Sequence, residues 1–201
     1  MTESTRPGMR LRPVLETDLD RLEEMFNDPD QIGVYNWGGF SDGTAWRKQW
    51  VDNRLLGADK RVLIIDLDGE RIGFVSWHKV RTGQISYVHE FGISLWSEHR
   101  GKGHGTTAQR LLARYLFAHD PVNRIQAWTE LDNIGEQRAL EKAGFTREAV
   151  MREYSFRDGA WRDEVVYRML RAELPAELPV GLPAGLPVDD EPDGEPAEDR
   201  G

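Results

Sequence analysis

The sequence predicts a single α/β domain built on a mixed sheet. Short apolar runs of strand length alternate with amphipathic runs of helical spacing. Two Asp-Gly pairs, Asp68-Gly69 and Asp158-Gly159, each sit between strand-like runs, where hairpin turns belong. A glycine-rich segment, Glu98 to Thr107, joins an apolar run (Phe91 to Trp96) to an amphipathic one (Ala108 to Phe117), as a strand-to-helix corner does.

The elements follow in order. Met9 to Val14 reads as a strand, and Asp18 to Asn27 places Leu19, Leu22, Met25 and Phe26 on one helical face. Thr44 to Leu56, after Ser41-Asp42-Gly43, sets Trp46, Trp50, Val51 and Leu55 near helical spacing. Arg61 to Asp66 and Arg71 to His78 flank the first hairpin turn, and Ser86 to Leu95 is a fourth strand. After the glycine corner come a helix, Thr107 to Ala118, and a fifth strand, Arg124 to Leu131. Gly135 to Lys142 is a helix that stops at Gly144, a residue able to take the left-handed conformation that ends helices. Arg147 to Phe156 and Trp161 to Leu170 form the second hairpin. The expected order is β-α-α-β-β-β-α-β-α-β-β.

Composition narrows the function. With 201 residues and 39% hydrophobic content the chain has enough apolar mass for one sizeable core. It has no apolar run near the ~18 residues a membrane span needs, and Met1 to Gly8 lacks the apolar centre of a signal peptide. A cytoplasmic location is expected. Without cysteine there is no disulfide, thiolate metal site or acyl-cysteine intermediate. Most of the net charge of −9 lies after Arg171, where nine acids face only Arg200, so the remainder is nearly neutral. A near-neutral body lacks the basic footprint of a nucleic-acid binder. Leu-Pro recurs every four residues from 174 to 187 and an acidic run follows, so residues 172–201 read as a disordered tail, or as a segment that docks on a partner. Residues 1–8 read as a flexible N-terminus and 9–171 as the domain.

The glycine corner carries the chemistry. Glycine leaves backbone N–H groups unshielded, and a helix starting there adds unpaired N–H groups and the positive end of its dipole. Together they suit a phosphate or pyrophosphate. A P-loop needs Gly-Lys-[Ser/Thr], but Lys102 precedes Gly103. The dinucleotide pattern fits Gly103, Gly105 and Ala108 only with the polar segment Ser97 to Lys102 between strand and first glycine. A purely structural corner is the remaining alternative.

Arg100-x-x-Gly103-x-Gly105 resembles the [Gln/Arg]-x-x-Gly-x-[Gly/Ala] signature of the Gcn5-related N-acetyltransferase (GNAT) family. Asn133-Ile134-Gly135-Glu136, followed by Glu141-Lys142-Ala143-Gly144-Phe145, resembles that family's downstream segment. The likeness covers about Met9 to Leu170, with the flavour of the ribosomal-protein-alanine acetyltransferase branch. It implies the GNAT fold, α/β (α+β), with a mixed sheet of about seven strands flanked by about four helices. It also implies acetyl transfer from acetyl-CoA to a primary amine, by direct attack in a ternary complex. The implied acceptor is a small-molecule amine or a protein N-terminus, and the resemblance makes a homodimer plausible. A catalytically idle acyl-CoA-binding or partner-binding module is the alternative.

The resemblance also assigns a site. The acyl donor would lie against Phe91, Gly92 and Ile93. Its pyrophosphate would meet Arg100, Gly101, Lys102, Gly103, His104, Gly105 and Thr106, and its pantetheine arm Asn133. Asn133 also suits a helix N-cap, and Arg100 and Lys102 also read as solvated cations. Glu90 is the candidate base, on the strand face opposite Phe91, Ile93 and Leu95, where a carboxylate among apolar neighbours becomes more basic. The other reading of Glu90 is an ion-paired carboxylate. His89 shares the apolar parity and reads as a core histidine, and His78 is a more distant base. The acceptor would meet Tyr35, Trp37, Glu90 and Trp161. Two family positions depart: the usual Tyr seven residues after the Asn is Leu140, and the branch's Ser three after it is Glu136. No histidine or carboxylate spacing suggests a metal.

Overall fold

The computed structural model describes residues 8–175. The expectations for residues 1–7 and for the tail beyond Pro175 lie outside the described residues. The strands are β1 (Met9–Pro13), β2 (Lys60–Leu67), β3 (Glu70–Arg81), β4 (Tyr87–Leu95), β5 (Arg124–Glu130), β6 (Thr146–Arg157) and β7 (Ala160–Leu170). The helices are α1 (Leu19–Phe26), α2 (Pro29–Ile32), α3 (Thr44–Asn53), α4 (His104–His119) and α5 (Ile134–Ala143). The strands form one seven-stranded sheet in the order β1-β2-β3-β4-β5-β7-β6. All neighbours run antiparallel except β4 and β5. In both hairpin turns the Asp and Gly have positive φ (54° and 89° at Asp68-Gly69, 50° and 76° at Asp158-Gly159), which matches the twist of the flanking strands.

The sheet is covered on both faces. Along β2 the residues alternate between two cores, with Leu63 and Ile65 in one and Val62 and Ile64 in the other. The first core receives Leu112 and Leu116 of α4 and Leu140 of α5. The second receives Leu19, Leu22 and Met25 of α1 with Ile32 of α2. Leu174, just past the 3-10 turn Arg171–Glu173, packs against the first core. No helix among the described residues is long and apolar enough to cross a membrane.

Three helical expectations are corrected. Five α-helices occur among the described residues, because Pro29 at the first turn and the Asp28 side chain, which accepts from the Asp30 and Gln31 N–H groups, start the single turn α2. Helix α3 stops at Asn53 rather than Leu56. Arg54 and Leu55 are left-handed (φ 58° each), which buries Leu55 and leaves Val51 70% exposed. The third correction, the start of α4, belongs to the site below.

Asp18 ties β1 to the helical layer. Buried itself, it accepts from Arg12 Nη1 (2.6 Å) and Nη2 (3.0 Å) and from the Leu15 N–H (2.8 Å), while Arg12 Nε reaches Asp66 (3.1 Å). Burial pulls the Asp18 carboxyl upward, but the bonds from Arg12 and Leu15 outweigh it and hold it below the usual range. A lowered carboxylate stabilises the fold above its unfolded value of about 3.9, and that contribution is lost as pH falls through the folded value. Urea denaturation at pH 7 should show Asp18→Asn destabilised by about 3 kcal/mol. The gap to wild type should narrow once the pH falls below about 4. A variant as stable as wild type at pH 7 would contradict this account.

Candidate active site

The site begins where two parallel strands part. β4 pairs with β3 along its whole length, from Arg81↔Tyr87 to Gly73↔Leu95. It meets β5 only at His89↔Ile125 and Glu90↔Gln126, while β5 pairs with β7 from Arg124↔Leu170 to Glu130↔Glu164. Beyond Glu90 the β4 edge therefore presents backbone N–H and C=O groups without a strand neighbour, and such groups seek partners. Two cavities open at this gap, of about 540 Å³ and about 290 Å³. Tyr35, Asn36, Ile93, Asn133 and Glu136 line both, so the two share one junction.

The larger cavity runs to the glycine corner. Gly101 (φ 72°) and Gly103 (φ 83°) take the left-handed conformation, in which a side chain is strained. Helix α4 opens at His104, three residues before its expected start, with Gly103 as a cap that offers no side-chain bond and no acid in the first turn. Its first N–H groups are left for a ligand. Gly101, Gly103, Gly105 and Thr106 line the cavity, while Lys102 and His104 stand outside its wall. The Thr106 hydroxyl donates to the Ala139 carbonyl (3.4 Å).

Arg100 lines the cavity but is already engaged. Its guanidinium donates to the carbonyls of Leu95 (2.9 Å), Asp30 (3.4 Å) and Gln31. Burial lowers its affinity for the proton. The side chain fastens α2 to the corner rather than standing free for a phosphate. Gly33 makes room for it, since a Cβ there would lie 2.9 Å from Arg100 Nη1.

Asn133 caps α5: its oxygen accepts from the Glu136 N–H (3.3 Å) and its amide donates to Thr129 Oγ1 (2.9 Å). It borders both cavities in that role. Leu140 is fully buried in the first core, so no hydroxyl reaches the cavity from that turn. Glu136 sits half-buried at the junction and accepts from Gln109 Nε2 (2.6 Å). Desolvation pushes its carboxyl up to about 7 against the opposing bond from Gln109.

The smaller cavity meets the acceptor expectations in part. Tyr35 and Trp37 line it, with Phe91, Gly92 and Ile93 on the β4 side. Trp161 lines neither cavity; it is 60% exposed on the hairpin and packs edge-on against Phe156, which does line it. Glu90 lines neither cavity either. Its carboxylate accepts from Trp128 Nε1 (2.6 Å) and Gln126 Nε2 (3.0 Å), with His78 Nε2 at 3.7 Å. The expected apolar surround is thus a set of donors, and Trp128 takes the cavity-facing place. His89 is buried against Asp120 (3.0 Å), a core histidine.

Sequence reasoning missed several groups here. Trp128 stacks on Tyr154 (5.1 Å between centroids, 6° between planes), Arg157 forks onto buried Glu130, and Ser155 and Glu164 also line the wall. Strand alternation along β5 puts Trp128 on the face of Gln126 and Glu130. Nothing in the sequence placed that face opposite β6.

Residues 9–146 match the family model described as an acetyltransferase (GNAT) domain, and the chain belongs to the GNAT acetyltransferases. The Bacillus subtilis (strain 168) protein named "Probable N-acetyltransferase YjcK" is 35% identical over 106 residues, covering 53% of this chain and 58% of that relative. The match to YjcK therefore spans less than two thirds of its length. The structure of spermidine N-acetyltransferase from Vibrio cholerae in complex with CoA and spermine aligns with a TM-score of 0.72 at 21% identity, covering 83% of this chain and 97% of that one. The ribosomal-protein-alanine N-acetyltransferase from Brucella melitensis aligns with a TM-score of 0.68 at 23% identity, covering 80% and 99%. These two likenesses establish the shared fold.

The corner makes a direct prediction. Gly103→Val forces a β-branched residue to φ 83° and crowds the anion cradle. Titration calorimetry should find CoA binding at least ~10-fold weaker, and the thermal midpoint should fall by the equivalent of about 1 to 2 kcal/mol. Unchanged affinity in a folded variant would rule out the corner as the phosphate site.

Proposed function

We propose that this chain transfers the acetyl group of acetyl-CoA to a primary amine by direct attack in a ternary complex. The observation that carries the reading is the shared junction. One cavity leads from it to a glycine corner suited to pyrophosphate, the other to an aromatic and carboxylate-bearing chamber. In this reading the pantetheine arm lies along the unpaired β4 edge and the thioester carbonyl stands near Ile93. Bringing donor and amine together at one point supplies the orientation the reaction needs.

Glu90 is given a positioning role. Its carboxylate holds the Trp128 indole, which lines the acceptor chamber, and the proton leaving the amine passes to water in the open cavity. An amine with a pKa near ~8 is roughly 10% neutral at pH 7, whereas one near ~10.4 costs about 4 to 5 kcal/mol to deprotonate. The site therefore favours amines of lower basicity, whether a small molecule or a protein N-terminus.

Thiol release from acetyl-CoA across a panel of small amines and short peptides tests the activity. Turnover with at least one primary amine is expected, and tight CoA binding with no thiol release from any amine would instead favour an idle binding module. In the same assay Glu90→Gln, which keeps an oxygen for the indole N–H, should lose less than ~10-fold in kcat and keep the acidic limb of the pH profile. A loss of about 100-fold or more together with that limb would make Glu90 the base after all.

A further inference from the structure

We propose that Glu136 is the acid that protonates the departing CoA thiolate, an inference that rests on the acetyl-transfer reading above. Three observations place it there. Glu136 borders both cavities, so its carboxyl stands where donor and acceptor would meet. One oxygen is fixed by fully buried Gln109 (2.6 Å), which leaves the second oxygen for the cavity. Among the described residues no cation forms an ion pair with Glu136.

The tyrosine hydroxyls that would compete are otherwise engaged. The Tyr35 hydroxyl, also at the junction, donates to the Asp132 carbonyl (3.2 Å). Leu140 has no proton to give, and the Tyr167 hydroxyl, deep in the core, pairs with Glu141 (2.9 Å).

The charged and titratable groups around Glu136 are mixed in sign. Tyr35, Arg100, Arg138 and Lys142 line the larger cavity with it. Glu130, Arg157 and Glu164 line the smaller, with Arg157 neutralising Glu130. Across the helix pair, α4 carries His104 and Arg110, whose guanidinium donates to the Lys142 carbonyl. Burial dominates this balance and holds the Glu136 carboxyl near 7, where a useful fraction is protonated at neutral pH.

The step conserves protons and electrons. The neutral amine attacks the thioester carbonyl carbon, a C–N bond forms, and the C–S bond then breaks with its electron pair going to sulfur. The Glu136 O–H gives its proton to that sulfur, and the nitrogen loses its extra proton to cavity water. Water then reprotonates Glu136, so one amide and one free thiol are formed from one thioester and one neutral amine.

The test compares wild type, Glu136→Gln and Tyr35→Phe in the thiol-release assay across pH 5.5 to about 9, with CoA affinity measured by calorimetry. Gln keeps an oxygen for Gln109, so Glu136→Gln should bind CoA within ~2-fold of wild type. Its kcat should drop by about 10- to 100-fold. The wild-type decline in kcat above about pH 7, where the acid loses its proton, should vanish in Glu136→Gln and persist in Tyr35→Phe. A Glu136→Gln enzyme with wild-type kcat and an intact alkaline limb overturns the proposal, as does loss of that limb in Tyr35→Phe alone. So does a variant that loses CoA affinity while kcat is unchanged. If the wild type itself releases no thiol with any amine, the acetyl-transfer reading has failed first.

Discussion

The parting of β4 and β5 after two paired residues is the constraint on which the site depends. A parallel pair continuing past Glu90 would have closed the sheet and left no cleft. Past that point β5 keeps its pairing with β7, which lies between β5 and β6, and leaves β4 unpaired on that side. Unpaired backbone groups in a partly buried gap lack the neighbours that stabilise the rest of the sheet, and a ligand with amide groups can supply them. The fold thus holds an open slot as part of its strand order.

Everything beside the slot serves to keep it open and aimed. Arg100 binds three carbonyls of α2 and the β4 end, so the corner, α2 and the end of β4 are fastened to one another. Asn133 caps α5 and ties it to Thr129, fixing the opposite wall. Glu90, Gln126 and Trp128 lock the aromatic floor from behind. Arg100 and Asn133, offered by the sequence as ligand contacts, have partners within the protein, and in the proposed reading backbone N–H groups meet the anion. Such division is physically sensible, because a preorganised dipole costs little ordering when the ligand arrives.

Much of the fold was legible because local rules and tertiary structure agreed. The Asp-Gly turns, the alternation along β2 and the glycine corner each have a mechanism that works within a few residues. The α3 end was not legible: Leu55 continues the helical spacing of Trp46, Trp50 and Val51, yet it is buried by a left-handed turn in which Arg54 stacks on Trp50 (3.9 Å). Helix α2 is a single capped turn too short to show periodicity. The glycine corner proposed for CoA was readable from glycine spacing. The acceptor side was not, since Trp128, Ser155 and the Glu130–Arg157 pair meet only through the β5-β7-β6 order. Glu90 shows the limit most plainly: parity gave its face, but only the cross-strand partners showed that an indole stands in front of it.

The most direct measurement is backbone hydrogen exchange with and without CoA, followed by mass spectrometry. If the carrier occupies the parted strands, exchange should slow in peptides covering Gly92–Leu95 and Gly101–Thr106, while β1 and α1 stay unchanged. Binding that leaves both segments exchanging at their free rates would contradict the account and place the ligand elsewhere.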